Sequence, residues 1–207
     1  MSHVSGATLS VQELEIARGE RRLFAGLDFE LASGELALVT GPNGVGKTTL
    51  MRTLAGLRLP SAGTVSFGDV PVNRIARGLT APIAFQGHLD GLKRDLTVAE
   101  NLEFSAKLWG GNGEPVALAG ELGLEDCLTR QVRFLSAGQR RRAALGCMRL
   151  RPAKLWLLDE PLTNLDARGA GLVAAWLDAH LERGGSAVVS THQPDKLAGR
   201  AAIEVDL

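Results

Sequence analysis

The stretch that most limits the fold is an eight-residue motif of the form GxxxxGK[ST], which reads Gly41-Pro42-Asn43-Gly44-Val45-Gly46-Lys47-Thr48. An apolar run, LALVT at 36–40, precedes it, and a helical pattern follows from Lys47 to Ala55. In this context glycines let successive N–H groups point at phosphate oxygens, and the helix N-terminus adds partial positive charge. We expect Lys47 to reach the terminal phosphates and the Thr48 hydroxyl to ligate Mg²⁺. The motif and the adjoining Thr49 therefore predict a nucleotide phosphate site.

A second apolar run, Leu155 to Leu158, ends in the two acids Asp159 and Glu160. Alone, this pattern also fits a strand that runs out into solvent. Downstream of a phosphate loop, it predicts that Asp159 holds Mg²⁺, directly or through water. Glu160 is then expected to face the attacking water as general base or orienting group.

The remaining patterns alternate between strand and helix, which indicates an α/β fold. Two antiparallel strands are predicted within 9–31 and short strands within 61–72 and at 82–85. Residues 97–150 are mostly helical in pattern, 166–182 predict a helix, and 186–191 predict a third buried strand. We expect a P-loop NTPase core of the RecA-like type, with an N-terminal antiparallel β lobe and an inserted α-helical lobe at about 88–150. One domain is expected to span 1–207.

Composition excludes several other classes of protein. Lysine plus arginine equals aspartate plus glutamate, at 23 each, and this balance argues against a nucleic-acid partner. No apolar run approaches the roughly 18 residues that a membrane span needs, and the start MSHVSGATLS has no features of a signal peptide. We therefore expect a cytoplasmic chain that meets a membrane only through a partner. Cys127 and Cys147 lack metal-ligand spacing and are predicted to be reduced and structural.

Five motifs in this order resemble those of the nucleotide-binding subunit of an ABC transporter, over roughly 9–200. Beyond the phosphate loop and the Asp159-Glu160 pair, LSAGQ at 135–139 resembles the LSGGQ signature, with Ala137 in place of one glycine. Asn164-Leu165-Asp166 resembles the loop at the dimer seam, and His192 matches the switch histidine. An NKxD base-reading motif, which a GTPase would carry, is absent from the sequence.

The resemblance implies a homodimer in which each ATP lies between the phosphate loop of one copy and the signature of the other. Ser136, Gly138 and Gln139 would then face the partner's nucleotide, Asp166 would lie at the seam, and His192 would contact the γ-phosphate. ATP binding would close the dimer and hydrolysis would reopen it.

The residues of the signature also carry a local prediction. Ser136 and Gln139 have the S-x-x-Q spacing of a capping box, which predicts a helix from there to about Leu150. Gly138 is expected to leave room for a phosphate. Arg140 to Arg142 are about 100° apart around the helix, so we expect them to split between the dimer seam, solvent and acidic neighbours.

Two positions depart from the family pattern. The family's glutamine, twelve residues before the Glu of TVAENL at 97–102, is replaced by His88, while Gln86 lies two residues earlier. We favour His88 for that role, because an imidazole nitrogen can accept a hydrogen bond from a Mg²⁺-bound water. The family's adenine-stacking aromatic is replaced by Arg18, whose guanidinium plane can stack on a purine. An ordinary turn residue is the alternative for Arg18.

Within the family, the stretches at 87–104, 135–145, 155–161 and 191–194 resemble the ATP-binding subunits of bacterial cytochrome c biogenesis systems. That resemblance implies a peripheral location on the cytoplasmic face of the inner membrane. It also implies an integral membrane partner of the cytochrome c maturation protein B type, further maturation proteins, and ATP-driven haem export or delivery to a haem chaperone. The alternatives are the ATPase of another small exporter, for a lipid, peptide or drug, and a channel-free ABC ATPase.

Overall fold

Five parallel strands form the sheet around which the other elements are arranged. The computed structural model describes residues 7–75, 82–110, 114–197 and 199–207. The strands of this sheet are β3 (Leu36–Thr40), β6 (Ile83–Gln86), β7 (Leu155–Asp159), β8 (Ser186–Ser190) and β9 (Ile203–Asp206). Their spatial order is β6-β7-β8-β3-β9, and every pair is parallel.

Both faces of this sheet are covered, which explains the uninterrupted apolar runs of its strands. In β7, Leu155 and Leu157 belong to one hydrophobic cluster, while Trp156 and Leu158 belong to the cluster on the opposite face. Side chains along a strand alternate between faces, so the central residues of a strand buried on both sides are apolar at successive positions. The predicted strands at 36–40, 155–159 and 186–191 are confirmed on this basis.

A second, antiparallel sheet contains the N-terminal segment. Its strands are β1 (Leu9–Arg18), β2 (Arg21–Leu31), β4 (Ala62–Phe67) and β5 (Val70–Pro71), in the order β2-β1-β4-β5. Helix α1 (Lys47–Leu54) shares a hydrophobic cluster with this sheet and with the parallel one. The predicted antiparallel lobe is confirmed, and α1 lies between it and the core.

The opposite face of the parallel sheet carries the helices. They are α3 (Val98–Trp109), α4 (Pro115–Glu121), α5 (Ala137–Arg149) and α6 (Ala167–Glu182); the one-turn α2 (Val72–Ile75) belongs to the β lobe. None of the helices in the described ranges is both long enough and apolar enough to cross a bilayer.

The prediction of a mostly helical 97–150 is wrong for residues 122–136. This segment contains two short 3-10 turns, Glu125–Cys127 and Val132–Phe134. Besides the bonds within these turns, its backbone bonds to the start of α3: Arg130 O accepts from Val98 N (3.1 Å), and Val132 N donates to Leu96 O (3.0 Å). The short strands β5 and β9 were not predicted.

Candidate nucleotide-binding site

The phosphate loop joins the end of β3 to the start of α1. Gly46 is the N-cap residue, with φ 129°, which an L side chain rarely adopts. Gly46 has no side chain with which to cap this helix, which leaves the first N–H groups of α1 to bind an anion. Lys47 is 7% exposed, and its Nζ donates to the loop carbonyls of Gly41 (2.7 Å) and Pro42 (3.2 Å).

A cleft of about 460 Å³ opens above the loop and brings most of the predicted residues together. Its walls combine loop residues with side chains from the ends of β1, β6, β7 and β8. The lining residues are Arg18, Leu23, Asn43, Gly44, Gly46, Lys47, Thr48, Thr49, His88, Asp159, Glu160, Thr163 and His192.

Asp159 ends β7 at the bottom of this cleft and is 1% exposed. Its Oδ1 accepts a 2.6 Å hydrogen bond from Ser190 Oγ, whereas its buried Oδ2 has no hydrogen-bond partner among the described residues. A buried carboxylate oxygen without a partner is costly. The donor set therefore fits Mg²⁺, a cation that prefers oxygen ligands, with the Thr48 hydroxyl in the lining of the same cleft.

Glu160 occupies a strained backbone position next to Asp159. Its φ of 50° lies in the left-handed region, which costs a non-glycine residue on the order of 1 kcal/mol. Its Oε2 lies 2.7 Å from His192 Nδ1, and the Gln193 amide nitrogen lies 2.8 Å from His192 Nε2. An amide nitrogen donates only, so these contacts assign the ring proton to Nδ1, which donates to Glu160.

His88 and Gln86 have different surroundings. Gln86 is 6% exposed, and its amide donates to the carbonyls of Gly87 (3.2 Å) and Leu89 (3.3 Å). His88 is exposed and lines the cleft with Lys47 and Glu160. Of the two, only His88 reaches the cleft.

Arg18 ends β1 at the outer rim of the same cleft, where Leu23 is its apolar neighbour on β2. Leu23 and Phe24 also pack over the loop, because a Cβ added at Gly46 would lie 3.2 Å from each of their side chains. The rim thus offers one cation and one aliphatic surface to a ligand.

The signature residues Ser136, Gly138 and Gln139, together with Gln86 and Asp166, do not line the cleft. The predicted capping box is present: Gln139 N donates to Ser136 Oγ (3.2 Å) and Ser136 N to Gln139 Oε1 (2.9 Å). Asp166 caps α6 by accepting from Gly169 N at 2.7 Å. Gly138 is closely packed within the chain, because a Cβ there would lie 2.8 Å from Asn164 O.

The expected distribution of the three arginines is wrong for two of them. Arg140 does approach an acid, Asp90, at 3.8 Å. Arg141 is 4% exposed and Arg142 partly buried, and both donate to backbone carbonyls rather than to acidic side chains. Their carbonyl partners lie about 20 or more residues away in sequence, which helical spacing cannot indicate.

Several residues at the site were missed by sequence reasoning. Ser190 orients Asp159, Gln193 contacts His192, and Leu23 and Thr163 line the cleft. Ser190 and Gln193 flank the recognised Thr191-His192 pair, so closeness to that motif was the available signal. Leu23 and Thr163 belong to no motif, so the sequence contained no signal that they line the site.

The chain is similar to known proteins over most of its length. The model of the ABC transporter family matches residues 24–163. The cytochrome c biogenesis ATP-binding export protein CcmA of Xanthomonas axonopodis pv. citri is 45% identical over 92% of this chain and 89% of its own length. The protein of the same name from Nitrosomonas europaea is 40% identical over 89% and 88%.

Solved structures agree on the fold. One described as the ATP-binding subunit of an ABC transporter has a TM-score of 0.84 at 23% identity and covers 96% of this chain and 85% of its own. A putative ABC transporter ATP-binding protein from Pyrococcus furiosus has a TM-score of 0.81 at 22% identity, over 97% of both chains.

Proposed function

The chain belongs to the ABC transporter family, and from that premise we propose that it hydrolyses ATP to drive a transporter in c-type cytochrome biogenesis. Proteins of this family bind nucleotide and work with a membrane partner. The observation that carries the proposal is the convergence of Lys47, Asp159, Glu160 and His192 on one cleft.

The triphosphate of ATP binds along the loop of residues 41–49, where backbone N–H groups and the N-terminus of α1 face the cleft. Lys47 exchanges its bonds to the loop carbonyls for the β- and γ-phosphate oxygens. Adenine stacks on Arg18 at the rim, against Leu23. A guanidinium reads no base edge there, so we expect similar turnover of ATP and GTP, and strict use of ATP would contradict the contact.

Thr48 and Asp159 would hold Mg²⁺, which neutralises phosphate charge when bound. Glu160 accepts a proton from the attacking water, and His192 keeps that carboxylate in place through its Nδ1–H. His88, which lines the same cleft, orients the water by accepting a hydrogen bond on a ring nitrogen.

Two copies are needed to complete each site. Ser136, Gly138 and Gln139 lie outside the cleft of their own chain, and we propose that they contact the nucleotide of a second copy in a homodimer. Asp166, as the cap of α6, orders the loop at the seam between the copies. The dimer binds an integral membrane subunit of the cytochrome c maturation protein B type at the cytoplasmic face of the inner membrane.

The identity with proteins named for cytochrome c biogenesis favours that process over other exporters. Haem export, or haem delivery to a periplasmic chaperone, is the transport step that we propose, with specificity supplied by the membrane subunit. We propose that residues 1–207 form a single ATP-binding domain.

The test is complementation of a bacterium that lacks its own cytochrome c biogenesis ATP-binding protein, with the native membrane neighbour co-expressed. The unaltered chain should restore covalently bound haem in c-type cytochromes. Glu160→Gln should bind ATP but lose hydrolysis by roughly 10²–10⁴-fold and restore none. ATP hydrolysis without restored cytochromes would favour another small exporter or a channel-free ABC ATPase.

A further inference from the structure

A buried arginine beneath the cleft has no role in the chemistry described above. Arg141 lies in the second turn of α5 and is 4% exposed. Among the described residues no carboxylate forms a salt bridge with it, although Arg140 and Arg200 do form them. A guanidinium buried without a carboxylate must satisfy its N–H groups elsewhere.

Its partners are backbone carbonyls at the catalytic end of β7. Nη2 donates to Asp159 O and to Glu160 O, each at 2.8 Å, and Nε donates to Pro161 O at 3.3 Å. Successive carbonyls of an extended strand point to opposite sides. Three consecutive carbonyls therefore meet one side chain only where the backbone turns.

That turn is centred on Glu160, whose φ is 50°. The peptide unit that joins Asp159 to Glu160 is held from both sides. Its carbonyl accepts from Arg141, and its N–H, Glu160 N, donates to Ser190 O and Ser190 Oγ, both at 3.1 Å. The left-handed backbone of Glu160 is thus held between β8 and a guanidinium from α5. Its side chain, directed by that backbone, faces His192 in the cleft.

A fourth carbonyl connects this turn to a second wall of the site. Arg141 Nη1 donates to Gly87 O at 3.0 Å, and the next residue along is His88, which lines the cleft. One side chain therefore joins the loop after β6, the turn after β7 and the helix that begins at Ser136.

We propose that Arg141 is a positioning residue that holds the Glu160 turn and the His88 loop in register with the signature helix. The proposal rests on the proposed function, because it assigns Arg141 an effect on hydrolysis. Burial lowers the pKa of Arg141, while the charges of Asp90, Asp159 and Glu160 favour its protonated form; a guanidinium therefore remains the cation here.

The experiment compares Arg141→Met and Arg141→Lys with Arg142→Met in the full chain bound to its membrane partner. Arg142 is a matched control, because Nη1 donates to the carbonyls of Leu122 (2.7 Å) and Gly123 (3.3 Å), which belong to neither wall of the cleft. Arg141→Met should lower kcat by about 10- to 100-fold, since a small misplacement of catalytic groups has effects of that size. Affinity for a slowly hydrolysed ATP analogue should stay within about twofold, because Lys47 and its loop are untouched.

Arg141→Lys keeps the positive charge but not the planar guanidinium with its several N–H donors. Its kcat should therefore lie between that of Arg141→Met and that of the unaltered chain. Arg142→Met should retain kcat, even where its thermal stability falls as far as that of Arg141→Met. If Arg141→Met does not fold, the lysine variant is compared with Arg142→Lys instead. Adding Arg141→Met to Glu160→Gln should lower the residual rate by a smaller factor than Arg141→Met does alone, because one of the two positioned groups is already gone.

Equal kcat in the Arg141 variants and the unaltered chain would overturn the inference. The inference would also be overturned if Arg142→Met lowered kcat as much as Arg141→Met does. The same is true if Arg141→Met lowered the rate of the Glu160→Gln variant by the full factor that it causes in the unaltered chain. These outcomes leave the proposed function intact. No hydrolysis by the unaltered chain with its partner would overturn the proposed function, and this inference with it.

Discussion

At the scale of single residues, His88 and Gln86 allow the sharpest test, because they lie two positions apart and face different surroundings. His88→Ala should lower turnover roughly tenfold, the effect of losing one hydrogen bond of about 1.4 kcal/mol in the transition state. Gln86→Ala should instead reduce the free energy of unfolding by about 1 kcal/mol, because its buried amide holds two loop carbonyls. Steady-state ATPase rates and urea unfolding measure the two effects.

His88→Gln is the control for this comparison. An amide can also accept and donate hydrogen bonds, so this variant should keep most of the turnover that His88→Ala loses. The assignment is wrong if turnover falls for Gln86→Ala alone.

The phosphate loop and the acids after β7 could be predicted because each is a local pattern with one chemical use. Arg141 and Ser190 could not, because their roles come from contacts between elements far apart in sequence, such as Arg141 to Gly87 and Ser190 to Asp159. A motif reports what a backbone segment can bind. It does not report which distant side chain fixes that segment.

At the scale of elements, the start of α5 depends on a close approach to the loop before α6. A Cβ at Gly138 would lie 2.8 Å from Asn164 O, so Gly138→Ala must shift the helix or the loop. We expect a loss of about 1–3 kcal/mol in stability and a lower ATPase rate. Gly171→Ala in α6 is the matched control, because nothing lies within 4 Å of its Cβ position; it should gain about 0.5–1 kcal/mol. Thermal unfolding of both variants measures these changes in stability. If Gly138→Ala were as stable as the unaltered chain, the packing argument would be contradicted.

The packing of α6 on β7 should make stability depend on pH. His180 stacks on Trp156 with ring centroids 4.0 Å apart, and burial lowers its pKa to about 4 from 6.5. The unfolded chain binds this proton below pH 6.5 and the folded chain only near pH 4. Stability is therefore lost as pH falls through that window, by about 1–2 kcal/mol at pH 5.

Urea unfolding at pH 7.5 and pH 5 measures this effect. His180→Phe keeps a stacked ring but cannot titrate, so its stability should change less between the two pH values. Since every other titrating group is common to both chains, identical pH dependence would exclude His180 as the cause.

The elements with regular apolar patterns could be predicted and the others could not. Buried strands β3, β7 and β8 are continuous apolar runs because both of their faces are covered. The edge strand β9 is only four residues long and alternates with acids, so its pattern is too short to distinguish from a loop. Residues 122–136 carry a helical pattern, but they form short 3-10 turns that also bond to the backbone at the start of α3, and the sequence pattern does not report such contacts.

At the scale of the whole molecule, we propose that one chain supplies two separate parts of a nucleotide site. The phosphate loop, the acids after β7 and His192 share one cleft, whereas the N-terminus of α5 lies outside it beside Asn164. The partial positive charge of a helix N-terminus favours an anion, so we propose that the α5 end contacts the triphosphate of another copy. A symmetric dimer would then contain two equal composite sites.

Mixing two inactive variants tests this arrangement. Lys47→Ala removes the phosphate-binding cation from one cleft, and Ser136→Glu places a carboxylate where the partner's triphosphate should lie. Each variant alone should be inactive, because both sites of its homodimer carry the change. In a mixed dimer one site has both changes and the other has neither. An equal mixture should therefore recover up to about a quarter of the unaltered ATPase rate, since half of the dimers are mixed and each has one intact site. If each chain used its own signature, every site in the mixture would carry one change, and no activity would return.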